Sequence, residues 1–328
     1  MTGEQPNRVS VIDPITPAID RVKLMLFKPF ELRRWFVIGF CAWLAFLGSG
    51  GPGGPGGGGG GPRYNVPHRP QEQQAQVREA IETVKEYLVD NLFWILPVAL
   101  IVVVLIVGFA LLIGWLNSRG KFMFLHCVAT NKAEVKVPWH KFRKQGNSLF
   151  LFRIVLGIIG FFVIGLPVLG IILLVVMMIA GAGPAATVAS MSGIAIFGLI
   201  IFALSIVLFL VKKFTLDFVV PIMFLRMTNC MAGWRQFKTI LSANKLRFAL
   251  YLLFQIVIAI VIGVIVMIGF CIGMCLCCAS CLLMIPYIGT VIILPLLVFK
   301  RAYSLCYLQQ FGREFDVFTT ESLEAEPA

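Results

Sequence analysis

Between Phe248 and Phe299 the chain runs for 52 residues without one Asp, Glu, Lys, Arg or His. One membrane crossing cannot use all of it, because a bilayer core of roughly 30 Å is filled by about 20 apolar residues in a helix. Two spans joined by a turn on the far side are the economical solution. Pro286, Tyr287 and Gly289 supply the helix breakers for that turn. A second charge-free block, 154–211, holds 58 residues, and its centre from Gly181 to Gly193 is small and polar enough to turn. Leu92 to Leu116 is one span long, and a shorter apolar run, 35–49, follows Arg33 and Arg34. The expected fold is an all-α polytopic transmembrane helix bundle with about six spans in three hairpins: 35–49, 92–116, 154–180, 194–213, 248–272 and 284–306.

Composition fixes the class. The chain is 59% hydrophobic and 13% charged, whereas a soluble domain carries about 25% charged residues. The net charge of +12 then reads as topology, not as a nucleic-acid footprint, since the cations fall between apolar runs instead of clustering on a soluble fold. With six spans and both termini inside, 24 of the 28 Lys and Arg lie on inner segments, leaving Arg63, Arg69, Arg78 and Lys85 outside. That asymmetry places both termini in the cytoplasm and the protein in the cell membrane. No signal-peptide pattern precedes the first apolar run.

The domain plan follows. Residues 1–34 form a cytoplasmic segment in which Ile15, Ala18, Ile19, Val22, Met25 and Leu26 recur at helical spacing opposite Arg21, Lys23 and Lys28. This is an amphipathic helix, lying in the membrane interface or packing on the protein's own loops. Residues 35–312 form the membrane domain, interrupted by a Gly-rich outer loop, 48–62. That loop lacks the Gly-Lys-Ser/Thr sequence that opens the helix of a phosphate-binding loop. Residues 76–90 carry an apolar stripe leading into the second span, Asn117 to Gly120 reads as its terminator, and 313–328 is an acidic tail without a packing signal.

The segments that leave the even-numbered spans are alike. Met123-Phe124-Leu125 precedes Trp139 and Phe142, while Met223-Phe224-Leu225 precedes Trp234 and Phe237. A fainter third copy sets Pro295 sixteen residues before Phe311, as Pro221 stands before Phe237. Either three hairpins repeat, or aromatic residues have gathered at the interface as they do everywhere. Phe27-Lys28-Pro29-Phe30 before Trp35, the Gly-rich loop, Asn117-Ser118-Arg119-Gly120, Arg301-Ala302-Tyr303 and Gln310-Phe311-Gly312 together carry a resemblance. The chain resembles a group of bacterial six-span membrane proteins of unassigned function. More loosely, it is similar to the membrane domain attached to some glycerophosphodiester phosphodiesterases. The hydrolase domain of those enzymes, with its acidic and histidine metal ligands, is absent, so the resemblance implies no phosphodiesterase activity.

Catalytic chemistry needs acids, histidines or a nucleophile held together, and the predicted spans hold no such group. Asp217 stands four residues after Lys213, the spacing of a helical ion pair. His126 and His140 read as neutral interfacial histidines. The expectation is a protein that is not an enzyme and needs no cofactor. One sharper signal lies near the third outer turn, where Met267, Cys271, Met274, Cys278 and Cys281 step by four, three, four and three along one helix face, with Cys275 beside them. Small apolar residues let membrane helices approach closely. The same sulfurs would also suit thiol chemistry or a soft metal such as Cu(I). The remaining candidates are the basic and aromatic side chains of the inner segments: Trp139, Lys141, Arg143, Lys144, Trp234, Arg235 and Lys238. These point to membrane lipids, anionic ones above all, or to a membrane-protein partner, and not to nucleic acid. A small-solute transporter is the alternative.

Overall fold

The computed structural model describes residues 9–48, 91–179, 183–275 and 285–318. Among these the protein is all-α, with no strand. The helices are α1 (Ile15–Val22), α2 (Leu32–Phe46), α3 (Leu92–Thr130), α4 (Lys136–Lys141), α5 (Arg143–Ile179), α6 (Pro184–Phe214), α7 (Val220–Arg226), α8 (Cys230–Ala243), α9 (Lys245–Cys275), α10 (Pro286–Ile292) and α11 (Leu294–Gln309). Single wide turns, Lys23–Phe27 and Thr215–Val219, follow α1 and join α6 to α7.

Four helical stretches are long and apolar enough to cross a membrane: Phe93–Thr130, Arg143–Met178, Thr187–Arg226 and Lys245–Ile272. The other two predicted spans take a different form. The run at 35–49 becomes α2, 15 residues long, and about 22 Å at 1.5 Å per residue falls short of a bilayer core. It ends with Gly48 beside Ile113 in α3. The run at 284–306 becomes two helices of 7 and 16 residues that break at Ile293. Pro295 explains the break: it has no N–H to offer the Val291 carbonyl, and its ring would crowd that oxygen.

The long helices divide into two zones. Their outer parts bare apolar side chains: Phe93 is 83% exposed, Leu100 63%, Phe161 74% and Leu199 69%. At the other end Phe122, Leu125, Phe218, Phe248 and Tyr251 are fully buried. Here α1, α2, α8 and α11 gather around the ends of the long helices and make a packed base. Its centre is aromatic: Phe218 stacks on Phe237 at 5.2 Å and 8°, Phe248 stacks on Phe311 at 5.1 Å, and Tyr251 meets Tyr307 at 4.6 Å.

The base also shows why some boundaries shift from expectation. Gly120 does not terminate α3; a Cβ there would lie 2.5 Å from the Leu44 carbonyl carbon, so glycine is what lets α2 and α3 touch backbone to backbone. With that contact made, α3 continues to Thr130. Similarly, Gly193 is no turn residue. A Cβ on it would come within 2.7 Å of Leu174, and α6 begins nine residues earlier at Pro184, with proline in its favoured first helical position.

Polar side chains close the helix ends. Arg21 donates to the carbonyls of Val128 and Ala129 at 2.9 and 2.7 Å, and Arg34 to that of Asn131 at 2.7 Å. Cations there complement the negative end of the α3 dipole. Thus α1 is packed on its own chain, with Ala18 and Met25 buried and the Tyr303 hydroxyl donating to the Val11 carbonyl. The start of the acidic tail packs as well: Glu314 pairs with Arg226, and Phe315 and Val317 are buried. The Gly-rich loop, the 76–90 stripe and the rest of the tail lie outside the described residues.

Two of the long segments end alike. Phe122, Phe218 and Tyr303 are each fully buried, and each is followed nine residues later by a positive-φ position: Asn131 (55°), Met227 (51°) and Gly312 (150°). The first two end α3 and α7 in the left-handed conformation of a helix stop, and the third follows α11. Asn131 and Met227 thus make the same kind of helix stop, whereas α11 is capped by Gln310 in right-handed geometry before Gly312.

Candidate functional site

The site grows from the segment Asn117 to Lys121. Asn117 is 1% exposed and donates from its amide to the carbonyls of Ala45 and Leu47, at 2.8 and 2.6 Å, closing the end of α2. Arg153 of α5 donates to the Asn117 side-chain oxygen at 2.6 Å and to the Ser118 hydroxyl at 3.3 Å. The guanidinium of Arg119 lies over Trp115 at 4.2 Å and Trp139 at 4.8 Å, an aromatic clamp on a cation. Gly120 makes the close approach to α2, and Lys121 follows it into the interior.

Lys121 borders two cavities. The smaller, about 170 Å³, is walled by Lys121 from α3, Lys213 from α6, Asp217 from the wide turn after it, and Lys300 and Arg301 from α11. Three of these groups are committed. Lys213 pairs with Asp217 at 2.8 Å, the i,i+4 ion pair its spacing predicts. The Tyr251 hydroxyl donates to the same carboxylate at 3.0 Å; the Gln255 amide donates to that hydroxyl at 2.9 Å, and Lys213 reaches the Gln255 side-chain oxygen at 3.3 Å. This ring of four residues satisfies the acid, as a half-buried charge requires. Arg301 donates to the Leu216 carbonyl at 2.6 Å.

The larger cavity, about 480 Å³, lies against α3 and α5 and contains Lys121, Arg153 and Lys212 with no acid. Its upper wall is apolar, with Ala110, Leu111 and Gly114 of α3 facing Ile154, Leu156 and Gly157 of α5. Across both cavities six cations meet one carboxylate. Lys121, Lys212 and Lys300 have no hydrogen-bond or ion-pair partner among the described residues. Each such ammonium group offers three donors and a compact charge, the chemistry that suits an anion. A cluster of His, Cys, Asp and Glu able to hold a metal ion is not found among the described residues.

The residues singled out from sequence are distributed differently. Lys141, Arg143 and Lys144, on α4 and the start of α5, and Arg235 and Lys238, on α8, are all exposed. The two tryptophans instead pack inward: Trp139 sits against Arg119, and Trp234 donates its indole N–H to the Thr215 hydroxyl at 3.2 Å. His126 is 2% exposed, between the rings of Phe142 and Phe224. On the outer part of α9, Met267 and Cys271 are exposed, Met274 and Cys275 are at the helix end, and Cys278 and Cys281 lie outside the described residues. The sequence pattern assigned no binding role to Lys121, Arg153, Lys212, Lys300 or Arg301, and marked Lys213 only as the ion-pair partner of Asp217. The missed signal was that boundary cations on neighbouring helices share one depth and must converge if the helices pack.

The fold and site together define a helical protein with four membrane-length apolar helices and a cation-lined base. The chain belongs to a family described as a family of unknown function (DUF7544), whose pattern matches residues 9–288. No curated protein and no solved structure matches it. The looser likeness to the membrane domain of glycerophosphodiester phosphodiesterases gains no support from these comparisons.

Proposed function

We propose that the protein is a non-enzymatic integral membrane protein of the cell membrane that binds anionic lipid, or an acidic membrane-protein partner, through a basic cytoplasmic face and so organises the bilayer around it. The observation that carries this reading is the convergence of six cations on two cavities that share Lys121, where the packed base meets the bare apolar parts of the helices. Exposed Lys141, Arg143, Lys144, Arg235 and Lys238 extend the same face, and each basic residue near an anionic surface adds about 1 kcal/mol. The placing of 24 of the 28 Lys and Arg on predicted inner segments supports cytoplasmic termini. Six crossings require that α2 and the broken α10–α11 pair traverse the membrane along with the four long helices. Reporter fusions after Leu47 and after Gln309 test that count.

The test of lipid binding uses protein reconstituted in an equimolar mixture of phosphatidylglycerol and phosphatidylcholine. The lipid retained after extraction should be enriched in phosphatidylglycerol at low salt, less so at 0.5 M salt as screening sets in. Equal retention of the two lipids at every salt concentration would remove the reading. The transporter alternative has less behind it, because 93–116, 154–178, 188–211 and 256–272 carry no Asp, Glu, Lys, Arg or His, and intramembrane solute paths usually do.

A further inference from the structure

The larger cavity has two chemically distinct ends. Its floor holds Lys121, Arg153 and Lys212, and its upper wall is made by apolar residues and glycines of α3 and α5. Two of those wall residues also belong to the outer surface: Leu111 is 45% exposed, and Gly157 is exposed with nothing within 4 Å of where its Cβ would stand. The cavity therefore opens sideways onto the bare apolar faces of the helices, at the side where acyl chains would lie. The smaller cavity shares Lys121 and Leu216 with it and is also lined by Lys300.

We infer that the paired cavities form a binding site for one phospholipid with a multiply charged phosphate headgroup. The acyl chain lies between Leu111 and Gly157, and the phosphate rests on Lys121, Lys212 and Lys300. Three arguments converge. The three ammonium groups make no hydrogen bond or ion pair among the described residues, whereas Lys213, Arg153 and Arg301 already do. The single acid is balanced by its own ion pair with Lys213 and accepts from the Tyr251 hydroxyl, and the five other cations around the two cavities leave a net positive lining for a phosphate. A soluble phosphate would need only the floor, while the apolar wall has a use only if the ligand carries a hydrocarbon chain. A phosphomonoester such as phosphatidate, with a charge near −2 at neutral pH, matches uncommitted ammonium groups better than a phosphodiester of charge −1. This inference rests on the lipid-binding reading and narrows it to one lipid and one site.

The experiment is native mass spectrometry of the full chain, released from detergent after loading with phosphatidate, phosphatidylglycerol, phosphatidylcholine, glycerol 3-phosphate or inorganic phosphate. The wild type should retain one phosphatidate most strongly. Lys121→Met, which removes a charge with no protein partner, should weaken that retention by about tenfold, as loss of a charge-assisted hydrogen bond implies. Gly157→Phe fills the apolar end where space is free. It should expel phosphatidate while leaving any glycerol 3-phosphate binding unchanged. A surface variant, Lys141→Ser with Lys144→Ser, should keep the single phosphatidate and lose only bulk enrichment of anionic lipid. Undiminished phosphatidate in Lys121→Met, with bulk enrichment intact, overturns the site but spares the broader reading. Inorganic phosphate held as tightly as phosphatidate, or indifference to Gly157→Phe, overturns the lipid identity in favour of a plain phosphate site. Absence of any anionic preference in the wild type overturns both.

Discussion

The outer parts of the long helices and the base are built from one chain but specified by different means. Outside, α3 from Phe93 to Leu112 is apolar nearly all round and mostly exposed. Nothing in such a surface selects one neighbour over another, because lipid tails are as apolar as Leu and no hydrophobic force drives helix on helix. In the base, contacts are made by groups that tolerate one partner only: the Asn117 amide on the end of α2, Arg153 on Asn117, Gly120 on the Leu44 backbone. A membrane fold of this kind is fixed by a few polar and glycine contacts at one end, while its apolar length serves mainly to dissolve it in the bilayer.

Glycine substitutions should separate the zones most sharply. Gly120→Ala forces a Cβ to 2.5 Å from backbone and should cost about 1–3 kcal/mol or abolish folding. Gly108→Ala, with open space around it, should be neutral or gain up to about 1 kcal/mol of helix propensity. Thermal melts in detergent measure both, and equal losses would erase the distinction. Arg153→Met comes next. It leaves the buried Asn117 oxygen without its donor, at about 1–3 kcal/mol. Trp234→Phe should cost about 1 kcal/mol through the lost N–H to the Thr215 hydroxyl, visible as a smaller shift in the same melt.

The last contrast concerns reactivity alone. Burial pushes the Cys230 thiol up to about 12, so the reactive thiolate is scarce at ordinary pH. In a variant keeping only that cysteine, alkylation should stay slow at pH 8 and accelerate only as the pH approaches 12 or the base unfolds. Rapid alkylation of folded protein at pH 8 would mean that the base is open.

How much was legible in sequence follows the same division. The apolar runs announced the long helices because membrane length is written directly in consecutive residues. The Lys213–Asp217 pair was also legible, being local. Gly120 and Gly193 were misread because a glycine that stops a helix and one that admits a neighbouring helix look identical until the neighbour is known. The break at Ile293 was signalled by Pro295, but proline is tolerated within α3 at Pro97 and α5 at Pro167, so the residue alone did not decide. The cavities were hidden because their six cations come from four separate segments, each of which reads locally as an ordinary membrane boundary.

On the reading proposed above, the base meets lipid headgroups while the outer helix faces meet lipid tails. Photolabelling in bilayers tests it, with one phospholipid probe carrying a diazirine in its headgroup and another carrying it near the end of an acyl chain. Headgroup adducts are expected around Lys121, Lys212 and Lys300, and acyl adducts on the outer parts of α3, α5, α6 and α9. Headgroup adducts spread evenly along the long helices, or acyl adducts concentrated at Lys121 and Lys300, would contradict it.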